Sequence, residues 1–368
     1  MPELKLRNVE RYVLLADLVE GAENAALDDR PEAFAVKSCW CEPRRSGIGT
    51  DRTGPGAETG HRDFMPGAEL QMHGHALVRE VKMAIALVTG TSSGIGLAIA
   101  VTLARGGHKV IATMRNLDGA GELQKIVSAE KLPVTLAALN VDDDASVNET
   151  ISKALSEHGN IDVLVNNAGI GGGGSVEEVP LESFRKIMDT NFFGALRCIK
   201  AVIPGMRERR HGCIVNITSV AGRIAMAPQA AYAASKWALE ALSECLAQEM
   251  KAFNVRVAIV EPGVIATPIF GKGTPPLKDS PYPHSRRLAA LFNASLSTPT
   301  SPYVVGEQIL KIVDSDSWQL RYPVGPDAVP VLEWRASKTD EEIVRRGGAS
   351  DEEYKAAVKR EFGLDVNL

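Results

Sequence analysis

Short apolar runs alternate with segments of helical length from residue 85 to residue 324, and no other feature of the sequence limits the fold as much. The runs are apolar at nearly every position rather than at every second one, which is typical of strands buried on both faces of a sheet. Strands joined by helices form right-handed βαβ units and a parallel sheet. The sequence therefore predicts an α/β, doubly wound sheet of about seven strands with helices on both faces, built from residues 85–89, 109–113, 134–140, 162–167, 213–218, 256–261 and 319–324.

The chain changes character near Met83. Residues 1–82 contain a long stretch rich in Gly, Pro and charge, without hydrophobic periodicity, and this composition favours disorder. We expect residues 83–368 to form a single domain that begins at Met83. The preceding residues are then an upstream readthrough or a dispensable extension, with a regulatory tail as the alternative.

Composition argues against several functions. A net charge of -5 gives no indication of nucleic-acid binding, and no apolar run is long enough to span a membrane. The five cysteines show no C-x-x-C spacing, so we predict no metal site and expect Cys198, Cys213 and Cys245 to be small buried thiols. Since no secretory or organelle signal is recognisable, the expected location is cytoplasmic.

A glycine-rich loop, TGTSSGIG, follows the first predicted strand and precedes a helix. Gly90, Gly94 and Gly96 allow the backbone to turn tightly and approach a pyrophosphate, to which the helix N-terminus offers free N–H groups. Ser92 and Ser93 add hydroxyl donors or cap the helix. The loop therefore predicts a dinucleotide site, although such a stretch is also compatible with a simple turn.

The second predicted strand ends in ATMRN, without the carboxylate that would bond the ribose hydroxyls of NAD. Arg115 stands there instead, and its guanidinium is suited to charge-assisted bonds with a 2′-phosphate. The pattern favours NADP(H), with NAD(H) as the alternative if Arg115 is only an exposed loop residue.

Tyr232 and Lys236 lie four residues apart in a segment with a helical pattern, so they share one face of the helix. A tyrosine has an ordinary pKa of about 10, and a cation within ~4–6 Å favours the phenolate and lowers that pKa by ~1–3 units. The pair is thus a candidate general acid–base, while a lone Y-x-x-x-K also fits a solvated helix face.

Six motifs occur in the order and spacing of the short-chain dehydrogenase/reductase (SDR) family. They are T-G-x-x-x-G-x-G at residues 89–96, N-N-A-G at 166–169, Asn191, Ser219, Y-x-x-x-K at 232–236 and P-G at 262–263. Over residues 83–270 the chain resembles this family strongly. The resemblance implies a Rossmann-type fold and an oxidoreductase that transfers a hydride between NADP(H) and a carbonyl compound or secondary alcohol.

The resemblance also implies a role for each catalytic residue. Tyr232 would be the general acid–base, and Lys236 would hold the nicotinamide ribose and lower the pKa of Tyr232. Ser219 would hydrogen-bond the substrate oxygen, and Asn191 would support a water chain that relays protons through Lys236. The alternatives are a polar helix residue at Asn191 and a turn former at Ser219.

The implied cofactor site comprises Gly90, Ser92, Ser93, Gly94, Ile95, Gly96, Arg115, Asn140, Val141, Asn167, Ala168, Gly169, Tyr232, Lys236, Pro262, Gly263, Val264 and Thr267. Asn167, Ala168 and Gly169 would line the adenosine side. The chain departs from the family at Asn140, where Asp is usual, and at Ser93, which is often basic in members that prefer NADP. The second departure weakens the choice of NADP(H).

Residues 268–303 would form a lid that sets the substrate, and its apolar centre favours a hydrophobic ketone or alcohol, although simple packing also explains it. The segment LRYPVGPDAVPVL is similar to members related to hydroxysteroid and retinol dehydrogenases. The charged residues 340–368 predict a solvated C-terminal helix.

Family members commonly pair through the helices that carry Asn191 and Tyr232, so a homodimer or homotetramer is expected. Leu239, Leu242 and Leu246 fit such an interface or an ordinary core. A non-catalytic NAD(P)-binding redox sensor or regulatory subunit is the alternative from another functional class, and it would need the glycine-rich loop but not the Asn–Ser–Tyr–Lys set. An epimerase or dehydratase is the alternative among enzymes.

Overall fold

Residues 83–271 and 279–368 are described by the structure, a computed structural model. The predictions for residues 1–82, including a domain start at Met83, lie outside these ranges and stay predictions. Residues 272–278, near the start of the expected lid, also lie outside them.

Seven parallel strands form one sheet in the order β3-β2-β1-β4-β5-β6-β7. The strand order reverses at β1, so the carboxyl ends of β1 and β4 border the crevice in which open α/β sheets bind ligands. The prediction of a doubly wound parallel sheet is confirmed, and no strand end differs from its predicted position by more than two residues. The strands are β1 (Ile85–Thr89), β2 (Lys109–Met114), β3 (Val134–Ala138), β4 (Val163–Asn166), β5 (Gly212–Ile217), β6 (Val255–Pro262) and β7 (Arg321–Val324).

Helices cover both faces of the sheet. Successive side chains of each strand point to opposite faces, so every strand packs against helices on both sides. Val88 and Val215 pack with α1 and α8 on one face, while Leu87 and Ile214 pack with α3, α5 and α6 on the other. The helices are α1 (Gly94–Arg105), α2 (Gly121–Glu130), α3 (Asp144–His158), α4 (Leu181–Met188), α5 (Gly194–Arg209), α6 (Ala230–Lys251), α7 (His284–Leu296), α8 (Tyr303–Asp314), α9 (Ala328–Ala336), α10 (Asp340–Gly347) and α11 (Asp351–Phe362).

A π-helical turn at Asp189–Phe193 joins α4 to α5. The sequence pattern predicts one regular helix over residues 181–206. In the structure this π-helical turn interrupts the α-helical hydrogen bonding in the middle of that range. Such turns are rare in α-helices and frequent at functional sites. Here the turn carries Asn191, which is 1% exposed.

The charged C-terminus is two helices rather than the single solvated helix that its composition predicts. Thr339 and Ser350 each begin a capping box, with Glu342 and Glu353 as the reciprocal partners, so a second helix starts after the first one ends. Val358 on α11 is fully buried in a small apolar cluster with α7. The C-terminus is therefore packed on the segment expected to form the lid.

Two further expectations are settled by burial. Cys198 and Cys213 are buried as predicted, but Cys245 is exposed, because its position on α6 faces away from the sheet. Leu239 and Leu246, also on α6, are buried and belong to the ordinary core.

Candidate active site

Close backbone packing shapes the glycine-rich loop at the end of β1. Gly90 has a φ of +73°, a conformation that glycine adopts without steric cost. A Cβ at Gly96 would lie 2.1 Å from the Gly90 carbonyl oxygen and 2.4 Å from Nδ2 of Asn167. Position 96 therefore has no room for a side chain.

The side chain of Asn167 ties β4 to this loop. Its Nδ2 donates to the carbonyl oxygens of Thr89 (2.8 Å) and Gly90 (3.1 Å). Thr89 Oγ1 accepts in return from the backbone N–H groups of Asn167 (3.0 Å) and Ala168 (2.9 Å). The Asn167 amide nitrogen thus shapes the loop rather than facing a ligand. The sequence analysis predicted no role for the Thr89 hydroxyl. Only its place as the first residue of the T-G-x-x-x-G-x-G motif could have indicated one.

The N-terminus of α1 opens at the loop. Ser93 is the N-cap residue with an extended backbone, but its hydroxyl makes no capping bond, so of its two predicted roles only that of a hydroxyl donor stays a prediction. Ser92 is exposed, and Gly94 and Ile95 are half-buried. Uncapped N–H groups beside a glycine backbone are suited to a pyrophosphate. The residues present fit a nicotinamide dinucleotide, which supplies hydride transfer when it is bound.

Arg115 is exposed directly after β2. The preceding strand end is held to the glycine-rich loop, because Thr91 donates from its backbone N (3.0 Å) and its Oγ1 (3.2 Å) to the Thr113 carbonyl oxygen. The loop after Arg115 also borders the motif, since a Cβ at Gly119 would lie 3.6 Å from the Cβ of Ser92. Arg115 therefore lies in a segment that contacts the glycine-rich loop both before and after it.

Asn140 and Val141 follow β3 on the same edge of the sheet. The backbone N of Asn140 donates to Ser146 Oγ (3.0 Å), and its Oδ1 accepts a long bond of 3.4 Å from the Asp142 N–H. Val141 packs against Gly194, where an added Cβ would lie 2.8 Å from Val141 Cγ2. Val141 is buried and Asn140 is half-buried, so Asn140 is the more accessible of the two.

Asn191 links three elements at the crevice. Its Oδ1 accepts from the Ile170 N–H (2.8 Å), and its Nδ2 donates to the Ile170 carbonyl oxygen and to Ser235 Oγ, both at 3.0 Å. Ser235 lies between Tyr232 and Lys236 on α6, and its Oγ donates to the Tyr232 carbonyl oxygen (2.7 Å). Asn191 thus holds the backbone around the tyrosine, while its expected place in a water relay stays a prediction.

The Ser219 hydroxyl lies close enough to the Tyr232 hydroxyl to favour its phenolate form. Ser219 follows β5, where its Oγ accepts from the Ala221 N–H (3.1 Å) and donates to the Pro262 carbonyl oxygen (3.3 Å). Both residues are half-buried. Two hydroxyl groups therefore lie together at the carboxyl end of the sheet, within reach of a ligand.

Lys236 is buried, and its Nζ donates to the Ile217 carbonyl oxygen at 2.8 Å. The ammonium lies 5.7 Å from the centre of the Tyr232 ring. Burial lowers the pKa of Lys236 to about 8, and the negative charge of Glu240 opposes that shift. The lysine is consequently still mostly protonated at neutral pH, but it loses its charge at a lower pH than an exposed lysine does.

The expected lowering of the Tyr232 pKa by Lys236 is not seen. Burial raises the pKa of Tyr232 above its ordinary value, and the nearby Ser219 hydroxyl lowers it by less. The physical reason is desolvation, which disfavours the phenolate in the same way that it disfavours the Lys236 ammonium. The spacing of the two residues could not reveal that Lys236 is buried and that Tyr232 is largely shielded from solvent.

A buried ionic cluster lies one helical turn beyond Lys236. Glu240 accepts from Thr218 Oγ1 (2.6 Å) and from Arg321 Nε (3.0 Å), which joins α6 to the ends of β5 and β7. Glu261, next to Pro262, is fully buried and pairs with Arg223 at 3.3 Å. The cluster holds the residues that flank Ser219 and the P-G motif, and no sequence pattern predicted it.

The loop after β6 meets the glycine-rich loop. A Cβ at Gly94 would lie 3.2 Å from Cβ and Cγ2 of Thr267. Pro262 ends β6 in the same crevice. The residues implied at the two ends of the cofactor site are therefore brought together across the top of the sheet.

Asp327 supports this loop from behind. Its Oδ2 accepts from the Val264 N–H at 2.8 Å, and a Cβ at Gly263 would lie 2.2 Å from its Oδ1. Asp327 follows Gly325, which has a φ of +108°. In the sequence, only the G-P-D-A stretch after β7 marks Asp327. Its role could not be predicted because Val264, which it contacts, lies about sixty positions earlier in the chain.

The family model described as short chain dehydrogenase matches residues 84–276. The chain belongs to this family, and it is an enzyme of the dehydrogenase/reductase class. The resemblance carried by the six motifs is thus confirmed.

Similar proteins agree with this assignment. Retinol dehydrogenase 8 of Homo sapiens is 40% identical over 256 residues, which are 64% of this chain and 79% of that protein. A short-chain dehydrogenase from Streptomyces avermitilis matches with a TM-score of 0.63 and 34% identity, over 73% of this chain and all of that one (100%). An alcohol dehydrogenase from Thermococcus sibiricus, complexed with 5-hydroxy-NADP, has a TM-score of 0.56 and 26% identity over 66% and 96% of the two chains.

Neither a metal-binding cluster nor a membrane-spanning helix occurs in residues 83–271 and 279–368. No group of three or more His, Cys, Asp and Glu side chains there could hold a metal ion. Within the same residues, no helix has both the length and the apolar character needed to cross a membrane.

Gly96→Ala tests the packing of the cofactor loop. The added Cβ must displace the Gly90 carbonyl oxygen or the Asn167 amide, so we expect NADPH affinity to fall by roughly 10-fold or more. Fluorescence titration with NADPH measures the effect. Gly121→Ala is the matched control, since nothing lies within 4 Å of its added Cβ. Equal affinities of the two variants would contradict the role of Gly96.

Proposed function

We propose that this enzyme transfers a hydride between NADP(H) and a hydrophobic ketone or secondary alcohol, with Tyr232 as the general acid–base. One observation carries the proposal: the Ser219 and Tyr232 hydroxyls lie next to each other at the sheet edge where the proposed cofactor loops converge. A carbonyl oxygen in that place meets two O–H groups. Such donors stabilise the negative charge that develops on oxygen when a carbonyl is reduced.

Each residue has a distinct task in the proposed reduction. Tyr232 gives its phenolic proton to the substrate oxygen as the hydride arrives at the carbonyl carbon, and Ser219 holds that oxygen. Lys236 contributes positive charge near the phenolate that remains, and solvent returns the proton. Asn191 keeps Tyr232 in place through Ser235. The reverse sequence oxidises the alcohol.

Tyr232→Phe tests the acid–base role. Removal of the proton donor is expected to lower kcat for ketone reduction by about 10²–10⁴-fold, the usual contribution of general acid catalysis. NADPH affinity, measured by fluorescence, should change little.

Tyr322→Phe on β7 removes a hydroxyl far from the proposed chemistry and serves as the control. Turnover by Tyr232→Phe at the level of this control would contradict the catalytic proposal. Bound NADPH without turnover in the wild type would instead favour the redox-sensor alternative.

NADP(H) rather than NAD(H) is the proposed cofactor. The support is the exposed Arg115 after β2 and the NADP derivative bound by the similar Thermococcus sibiricus enzyme. Ser93 does not supply the basic residue often found at its position, so Arg115 must contribute most of the discrimination.

Arg115→Ala is expected to lower NADPH affinity by about 10- to 100-fold and to leave NADH affinity nearly unchanged, because only NADPH carries the 2′-phosphate. The two dissociation constants are measured by fluorescence. Lys125→Ala, which removes one exposed positive charge on α2, is the control for a general change in charge. A parallel loss for both cofactors would contradict the role of Arg115.

We also propose a homodimer or homotetramer in the cytoplasm. Phe193 and Trp237 support an interface, because they are 45% and 49% exposed on the π-helical turn and on α6, which pack against each other.

An apolar substrate is supported by the name of the human relative, a retinol dehydrogenase.

A further inference from the structure

Glu240 lies one helical turn after Lys236 on α6, so the two residues share one face of the helix. Lys236 Nζ donates to the Ile217 carbonyl oxygen at the end of β5. The next residue, Thr218, donates from its Oγ1 to Glu240 Oε1 at 2.6 Å. Gly222 packs against both helix residues, since a Cβ there would lie 2.9 Å from Glu240 Cγ and 3.2 Å from the Lys236 carbonyl oxygen. Consecutive residues at one strand end therefore hold the ammonium and the carboxyl group.

The contacts of Glu240 are those of an ionised carboxylate. A distance of 2.6 Å is typical of a hydroxyl that donates to a charged oxygen. The other oxygen, Oε2, accepts from Arg321 Nε at 3.0 Å. Only 5% of Glu240 is exposed, so water and salt screen its charge much less than they screen a surface charge. Glu240 is thus a buried negative charge one turn from the Lys236 ammonium.

A second buried carboxyl group in this cluster is less able to supply that negative charge. Glu261 on β6 is fully buried, and burial raises its pKa, as does the charge of Glu240. Its Oε1 lies 3.3 Å from the Arg223 guanidinium, while no described residue hydrogen-bonds its Oε2. A buried charge without full compensation is unfavourable, so this environment favours the protonated form of Glu261.

Other charged residues near this part of α6 lie closer to solvent. The groups on α6 itself, in the turn after β5 and on β7 are Glu244, Arg223 and Arg321, whose side chains are 54%, 45% and 29% exposed. The charged residues of α4 and the π-helical turn form their own ion pairs or are exposed; they are Glu182, Arg185, Lys186 and Asp189. Glu240 is therefore the carboxylate best placed to act on Lys236.

We propose that Glu240 is a positioning residue for the reaction, because its buried carboxylate keeps the Lys236 ammonium charged beside Tyr232. The inference rests on the proposed function, in which that charge stabilises the phenolate left on Tyr232. Burial lowers the pKa of Lys236 to about 8, and the Glu240 charge opposes that shift. Without this carboxylate, Lys236 loses its proton nearer to neutral pH, and the phenolate then forms beside a neutral amine. Glu240 belongs to none of the six family motifs.

Two glutamates on α6 allow a matched test. Glu240→Gln removes the charge but keeps an amide oxygen that can accept from Thr218. Glu244→Gln is the control, because Glu244 lies one turn further along the helix and also binds Arg321 (2.6 Å), but is exposed. The pKa of Lys236 is measured by NMR in the full-length protein labelled with ¹³C-lysine, with Lys236→Arg to assign the signal. This measurement needs neither cofactor nor substrate.

We expect the pKa of Lys236 to fall by about one unit or more in Glu240→Gln and by less than about 0.3 in Glu244→Gln. Lys236 is charged below its pKa, so the loss of kcat at high pH should begin about one pH unit lower in Glu240→Gln. With NADPH and 2-undecanone, kcat of this variant should stay within about twofold of the wild type at pH 6 and be about fivefold lower at pH 8. A purely structural role would lower kcat by the same factor at both pH values.

Glu240→Asp keeps the charge but withdraws it from Thr218 by one methylene group. The pKa of Lys236 in this variant should lie between the values in the wild type and in Glu240→Gln. Thermal unfolding confirms that each variant is folded; if Glu240→Gln is not, the value in Glu240→Asp decides.

The two measurements separate this role from the proposed function. A pKa of Lys236 that is unchanged in the folded variants would overturn the role of Glu240 and leave the proposed function intact. A lowered pKa with an unchanged kcat profile would contradict the task proposed for Lys236, and the role of Glu240 in the reaction with it. If the wild type binds NADPH but does not reduce 2-undecanone, the proposed ketone reduction is contradicted, and the NMR result alone decides whether Glu240 controls the charge of Lys236.

Discussion

The Lys236 ammonium donates to the Ile217 carbonyl oxygen over 2.8 Å in a place where only 5% of the residue reaches solvent. Burial of a charged amine is costly unless other groups compensate, and here it lowers the pKa of Lys236 to about 8. The Glu240 charge one turn along α6 opposes that shift, and Glu240 is itself held by Thr218 and Arg321. The proposed catalysis depends on this balance, because the lysine must stay protonated beside a phenol that is also desolvated.

The rest of the site keeps these two residues in position with neutral hydrogen bonds. Asn191 reaches from the π-helical turn to Ser235 on α6, and Asn167 reaches from β4 to the glycine-rich loop. Both amides bond main-chain carbonyl oxygens, so the geometry depends on the backbone more than on neighbouring side chains. The parallel sheet makes this possible, because it brings the carboxyl ends of β1, β4, β5 and β6 to one edge.

Much of this arrangement could be predicted from the sequence, and the failures have physical causes. Continuous apolar runs identified the strands, and motif order identified the family. Local pattern could not reveal the raised pKa of Tyr232, because burial depends on how distant segments pack. It also missed Asp327, whose contact with Val264 joins residues far apart in the chain. The prediction of a single C-terminal helix was wrong because it relied on the charge of residues 340–368 and missed the second capping box, which begins at Ser350.

The most direct test of the account is the pKa of Tyr232 with and without NADP+. The ring carbon that bears the hydroxyl can be followed by NMR in protein labelled with ¹³C-tyrosine, with Tyr232→Phe to assign the signal. Without cofactor, burial should hold the pKa above its ordinary value of about 10. With NADP+ bound, the positive charge of the oxidised nicotinamide ring should lower the pKa of Tyr232 by at least about one unit. A pKa that is ordinary without cofactor would contradict the effect of burial on Tyr232, and a pKa unmoved by NADP+ would contradict a nicotinamide ring bound beside its hydroxyl.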